Sequence, residues 1–299
     1  MTIEEARKLY EKYKREIHWD HDPANEDALI EITEFLVKET GDPWYTSDLG
    51  AYYYGEMKYD LALKYYEMTY ELGDREISTC LGYIWYYGRT GTVDYEKAFR
   101  YYSEAAQLGE TGAKRKLADM YHHGFFVEKN EETYRRMIEE LYEQHKDDEY
   151  SFIELPGICT RLAAIRAEEG KTEEAVNLYL RAKEDLAVSL RYNGFFGDIN
   201  VMEWLVNDLY ALIPVDYSDL DVFDLFYLLK EPNDVSFRYQ RKKYRISSFP
   251  DEGRTAVRFE GCCYRSVNDL FQKAKVSGKP FYALSREIYD VEVNHGRDH

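Results

Sequence analysis

The chain has 299 residues, a formal net charge of −18 and a mean hydropathy of −0.63. That length suits one large or two modest domains, and without an 18-residue apolar run no transmembrane helix is expected. Cys80, Cys159, Cys262 and Cys263 lack metal-type spacing and read as free thiols, and the first residues carry no apolar signal core, so the reading is a cytoplasmic protein.

In chain order, Ile3, Ala6, Leu9, Tyr10, Tyr13 and Ile17 recur at helical spacing. His18-Trp19-Asp20-His21-Asp22-Pro23 breaks that helix. Asn25 is placed to cap a second helix with an apolar stripe of Ala28, Leu29, Ile32, Leu36 and Val37, which Gly41-Asp42-Pro43 stops. This pair, residues 1–43, reads as a cap over the open face of a repeat stack.

The stretch Ile77–Gly109 sets the pattern for the middle of the chain. Leu81, Gly82, Trp85 and Gly88 precede Ala98, Tyr101, Tyr102, Ala105, Ala106 and Gly109, all at helical spacing. Small residues at Gly82, Ala98 and Ala105 let two helices approach closely, and the aromatic residues fill the space around them. A step of 36 positions carries Leu81 to Leu117, Trp85 to Tyr121 and Gly88 to Gly124. The reverse step carries Ala98, Tyr101, Tyr102 and Gly109 to Ala62, Tyr65, Tyr66 and Gly73, with Leu49, Gly50 and Tyr53 in the helix before. A fourth unit uses Leu162, Ala163, Gly170, Ala175, Tyr179 and Ala182. A fixed period of this kind predicts stacked helical hairpins.

On these residues, with Asp94 and Lys97, the Ile77–Gly109 unit resembles a Sel-one-like repeat, a relative of the tetratricopeptide repeat. The third unit matches through Ala113, Leu117, Tyr121 and Gly124, and departs at Tyr134, where the family has Ala, and at His145, where it has Gly. The units at Leu49 and Leu162 are similar to ordinary tetratricopeptide repeats in turn length. The resemblance covers about half the chain, roughly residues 44–187, and speaks to fold more than to function. It implies a groove lined by the first helix of each pair. The inward positions are then Ser47, Ala51 and Tyr54; Thr79, Tyr83 and Tyr86; and Arg115, Asp119 and His122.

Beyond a helix at about 199–212, ended by Pro214, the texture changes. Leu220–Leu229 reads as a short helix. Val235, Phe237 and Tyr239 alternate as a strand, Tyr244, Ile246 and Phe249 continue a second, and 255–259 reads as a third. Ser266 caps a helix, and 288–293 is a final strand. The predicted fold is therefore mainly α: a cap (1–43), a Sel-one-like and tetratricopeptide solenoid (44–214), and a small C-terminal α+β module (215–299).

No catalytic residue, cofactor or metal is predicted. His18, Asp20, His21 and Asp22 read as a polar loop, and His122 and His123 point about 100° apart on a helix, which argues against a shared ion. Cys262 and Cys263 face opposite sides of a strand, so one is expected to be buried. A nucleophile elbow, a phosphate loop and a dinucleotide fingerprint are absent. The functional reading is a non-catalytic scaffold holding a protein or peptide partner, with no membrane role. Two alternatives stand beside it: an enzyme with an unrecognised site in the C-terminal module, and a regulatory or immunity-type binder whose basic module contacts an anion such as nucleic acid. Residues 232–299 carry a net charge of +4 against −22 for the rest, with Arg238, Arg241, Lys242, Lys243 and Arg245 on one hairpin. Docking of that hairpin on the acidic solenoid of its own chain is expected ahead of nucleic-acid binding, because the tethered carboxylates are the nearest partner.

Overall fold

Alternating small and aromatic positions set the spacing of the helices. In the computed structural model, which describes residues 1–19, 23–148, 153–193 and 196–295, they form antiparallel pairs. The helices before the sheet are α1 (Ile3–Trp19), α2 (Glu26–Thr40), α3 (Pro43–Gly55), α4 (Tyr59–Glu71), α5 (Ser78–Tyr87), α6 (Tyr95–Gln107), α7 (Thr111–His123), α8 (Glu131–His145), α9 (Leu155–Glu168), α10 (Thr172–Asn193) and α11 (Phe196–Leu212). Asp20, His21 and Asp22 of the histidine-rich linker lie outside the described residues.

The close helix contact falls where the sequence places it. A Cβ added to Gly82 would meet the Tyr102 ring at 2.4 Å, and one added to Gly50 would meet the Tyr66 ring at 2.3 Å. Glycine thus admits a tyrosine ring of the second helix against the backbone of the first, once in each of two successive pairs. Local chemistry sets the ends. Asp94 accepts a bond from the Lys97 N–H at the start of α6, while the Lys97 ammonium sits 3.7 Å from the centre of the Trp85 ring. Asn25 precedes α2 but does not cap it; its side-chain amide donates to Glu16 instead. Successive second helices are tied by tyrosine–carboxylate bonds: Tyr65 donates to Glu34 and Tyr70 to Glu104.

Two compact units result, residues 1–137 and 138–299, divided inside α8. The first holds the α1–α2 core of Ala6, Tyr10, Ile32 and Leu36, followed by a core of Ala62 and Tyr66 of α4 with Leu81 and Ile84 of α5, and one of Ala98, Tyr102 and Ala105 of α6 with Leu117 and Met120 of α7. The third pair keeps its aromatic departure: Tyr134 is buried with its ring 4.4 Å from that of His122.

The second unit joins α9–α11 to the C-terminal module. After α12 (Leu225–Leu228) come β1 (Asn233–Tyr239), β2 (Lys242–Asp251), β3 (Arg254–Phe259), β4 (Cys262–Tyr264), α13 (Val267–Lys273), β5 (Lys275–Val276), β6 (Lys279–Pro280) and β7 (Tyr289–His295). The main sheet is antiparallel in the order β4-β3-β2-β1-β7, with a register shift between Ser236 and Arg238 where β1 meets β7. Val235, Phe237, Tyr244, Ile246, Val257 and Phe259 share one core with Leu186 and Leu190 of α10 and Met202, Leu205 and Leu209 of α11. The module drawn from sequence at 215–299 is therefore continuous in packing with the helices before it. Cys262 and Cys263 lie on β4, but both are exposed, against the expectation that one is buried. An edge strand of three residues has too little cover to bury either.

Candidate functional site

The first helices of the N-terminal unit carry the residues singled out from sequence. On α3, Ser47 is half-buried, Ala51 exposed and Tyr54 half-buried. On α5, Thr79, Tyr83 and Tyr86 are all half-buried, and on α7 Arg115 and His122 are half-buried while Asp119 is buried. Contacts link the three helices into one strip. The Arg89 guanidinium, just past α5, lies 5.9 Å from the Tyr54 ring centre of α3 and 4.8 Å from that of Tyr87. Lys116 of α7 lies 4.9 Å from the ring centres of both Tyr86 and Tyr87, donates to the Tyr87 hydroxyl at 2.6 Å, and pairs with Asp119 at 3.3 Å.

At the centre is Tyr102, fully buried, with the Tyr83 and Tyr86 rings 5.8 and 6.0 Å from its own. Burial, together with the neighbouring Tyr83, Tyr87, Tyr86 and Tyr54, pushes its hydroxyl far above the ordinary tyrosine range. Tyr83 and Tyr86 therefore do structural duty as well as lining a face. Tyr86 also touches Tyr95 and Phe125 at 5.7 and 6.0 Å. An alanine at either position removes packing, so neither change is expected to leave stability untouched.

Tyr87, 43% exposed and part of these contacts, stands one residue beyond the motif positions and is absent from the sequence reading; Trp44, 63% exposed near the start of α3, lies outside them and donates its indole N–H to the Tyr10 hydroxyl at 3.1 Å. Lys116 was missed because a lysine beside Leu117 reads as a solvated charge, whereas it is 6% exposed and fully engaged. His122 is 3.0 Å from the Glu131 carboxylate; against its partial burial, hydrogen bonds from Lys129 and His122 hold that carboxyl below the usual range. Among the described residues no cluster of three or more histidine, cysteine or carboxylate side chains suits a metal, and no helix is long and apolar enough to cross a membrane.

The basic hairpin has a different fate from the one expected. Arg238 pairs with Asp290 at 3.4 Å, Lys242 with Glu260 at 2.9 Å, Lys243 with Glu292 at 2.7 Å, and Arg245 with Asp234. The Arg241 backbone N–H donates to the Tyr289 hydroxyl. The charge is thus spent on carboxylates of the same sheet or its turns. What joins the module to α10 and α11 is the apolar face and a separate polar knot. There the buried Asp224 carboxylate accepts from Lys183 of α10 and from the Tyr210 hydroxyl of α11, and Asp221 accepts from Ser285.

No protein-family model matches the chain, and no curated protein matches it. Among solved structures it is similar to a Sel1 repeat protein from Oxalobacter formigenes, with 20% identity, 70% of this chain and 90% of that one covered, and a TM-score of 0.43. It is also similar to a protective antigen present in uropathogenic Escherichia coli strains displaying an SLR fold, with 19% identity, 62% of this chain and 44% of that one covered, and a TM-score of 0.39. By its own 36-residue period and its glycine-on-tyrosine contacts, the helical part of the chain has the Sel1-like repeat fold, followed by a small antiparallel sheet.

Proposed function

We propose that the chain is a non-catalytic binding scaffold whose first-helix strip, from Tyr54 through Tyr83, Tyr86 and Tyr87, holds a segment of a partner protein. The observation that carries this reading is the tyrosine–cation strip itself. Tyrosine, tryptophan and arginine are the side chains that dominate protein recognition, because each offers a large rigid surface with a polar end. Here Tyr83 and Tyr86 are held in place by ring contacts with Tyr102, and Tyr87 by Lys116 and Arg89, so little side-chain entropy is lost on binding. The basic hairpin supports the anionic-partner alternative less well, because four of its five cations already have carboxylate partners.

The test is site-specific photocrosslinking in the cell that makes the protein. A photoreactive phenylalanine analogue replaces Tyr87, or, as a control away from the first helices, the exposed Leu108 just past the end of α6. A discrete adduct formed from position 87, absent from position 108 and lost when Arg89→Ala is added, supports the reading. Adducts that are the same from both positions, or none from position 87, overturn it.

A further inference from the structure

We propose that the polar cleft between α11 and the C-terminal module is a second binding site, separate from the first-helix strip, and that it takes the carboxylate end of an extended peptide. The cleft has a volume of about 660 Å³, within the roughly 300–1,000 Å³ usual for ligand pockets, and all of its walls belong to the 138–299 unit. Asn200, Glu203 and Asn207 share one face of α11, and Asn268 and Gln272, four apart, share one face of α13. Phe226, Leu229 and Val267 supply its apolar lining.

The carboxamides are held in fixed orientations. The Asn268 amino group donates to Asn200 Oδ1 at 2.8 Å and to Glu203 Oε2 at 2.7 Å, and Gln272 Nε2 donates to Asn268 Oδ1. Asn207 donates to the Glu203 carbonyl at 2.7 Å, while its own Oδ1 is buried without a donor. The Asn200 amino group and the Gln272 oxygen have no protein partner among the described residues. A carboxamide sets a donor beside an acceptor, which matches the C=O and N–H of a peptide group.

The charges around the amides are unbalanced. Lys230 and Arg254 make no ion pair among the described residues; Asp208 is the carboxylate whose field Lys230 shares. Of the two carboxylates in the lining, Glu203 is occupied by Asn268, and Asp269 by Lys273, by the Arg265 N–H and, at 3.9 Å, by the Arg265 guanidinium. The unmet chemistry is therefore positive charge beside free amide groups, in a chain of net charge −18. A peptide C-terminus offers the complement: a carboxylate suited to the arginine fork, followed by main-chain amides. A nucleotide fits less well, because the one aromatic lining residue, Phe226, is 2% exposed and stacked on Phe271 at 4.2 Å, leaving no ring face for a base.

The probe is a pool of fluorescent random octapeptides with free C-termini, titrated with the intact chain, against the same pool amidated at its C-terminus. Saturable binding is expected, weakened about tenfold or more by amidation and by Arg254→Glu or Lys230→Glu, since each removes a charge-assisted contact. Lys242→Glu, at the far end of the β1–β2 hairpin, is expected to leave binding unchanged. All three substituted residues are exposed, and unchanged melting curves check that the variants fold. No saturable binding, equal binding of the amidated pool, or indifference to Arg254→Glu overturns the proposal. Competition by inorganic phosphate or ATP at the peptide's own concentration assigns the cleft to a phosphate-bearing small molecule and likewise overturns it. The proposal stands apart from the first-helix reading, and Tyr87→Ala is expected to change nothing in this assay.

Discussion

Adding one methyl group at Gly82 tests the repeat register directly. The new Cβ would lie 2.4 Å from Tyr102 Cε1 and 2.5 Å from Cδ1, against an ordinary carbon contact of about 3.5–4.0 Å. Tyr102 has no room to yield that shortfall, being fully buried between the Tyr83 and Tyr86 rings. Either the ring leaves its rotamer or α5 moves away from α6, and overpacking of this sort costs roughly 1–3 kcal/mol. Helix propensity works the other way, since alanine in a helix gains about 0.5–1 kcal/mol over glycine. The expected net loss for Gly82→Ala is about 1–2 kcal/mol, and Gly82→Leu exceeds it. Gly50→Ala against Tyr66 repeats the experiment one pair earlier, whereas Gly55, with no atom within 4 Å of a built Cβ, is the control that gains only the propensity term. In thermal melts followed by far-ultraviolet circular dichroism, each kcal/mol is worth about 2–5 °C for a unit of this size. Gly82→Ala and Gly50→Ala should fall by several degrees and Gly55→Ala should hold or rise. If Gly82→Ala melts at or above the parent, the glycine-on-tyrosine account of the stack is wrong.

Burial pushes the Cys80 and Cys159 thiols up to about 11 and about 12, while Cys262 and Cys263 are exposed on β4. At pH ~7.5, below both raised values, a thiol reagent should therefore modify two cysteines quickly in the native chain and all four in denaturant; rapid labelling of Cys159, read by peptide mass mapping, would contradict the packing of α9. Asp224→Ala strands Lys183, whose side chain is 16% exposed, and should cost about 3–5 kcal/mol, more than Tyr210→Phe, which removes only one bond to the same carboxylate at about 1.5–3 kcal/mol; equal urea midpoints for parent and Asp224→Ala would remove the ion pair from the account. Ending the chain after Pro214 uncovers Met202, Leu205 and Leu209 of α11, so the 1–214 fragment should aggregate and bind a hydrophobic dye; a soluble fragment that melts cooperatively would show that α11 does not need the sheet as cover.

Periodicity made the helical half of the chain legible because each signal is local: Leu81 to Gly88 and Ala98 to Gly109 state their own helix faces, and the same letters recur 36 positions away. The strands were legible for the same reason, since Val235, Phe237 and Tyr239 alternate across one sheet face. What the sequence hides is who meets whom. The sequence reading docks the β1–β2 hairpin on the acidic solenoid because Asp290 and Glu292, the β7 partners of Arg238 and Lys243, lie about fifty positions downstream in chain order. Lys116 and Arg89 escaped because a buried or ring-stacked cation looks like any other lysine or arginine until Tyr86, Tyr87 and Tyr54 are brought around it. The α11–α13 cleft depends on such long-range pairings: Asn268 reaches Asn200 across 68 positions and Glu203 across 65.

The same physics makes the sheet more than a detachable appendage. A stack of helix pairs ends in an apolar face that water must not reach, and α11 presents one in Met202, Leu205, Val206 and Leu209. The sheet supplies the cover with Val235, Phe237 and Phe259, and the knot of Asp224 with Lys183 and Tyr210 adds specificity of orientation that apolar contact alone lacks. Covering an end in this way leaves a seam where two polar rims meet. At that seam Asn200, Glu203 and Asn207 of α11 oppose Asn268 and Gln272 of α13, and side chains there are free of the demands of either core. A terminal cap that leaves such a seam fixes the last repeat helix and, with the same residues, builds the walls of a cleft; the amides and cations collected in it result from where the cap had to sit.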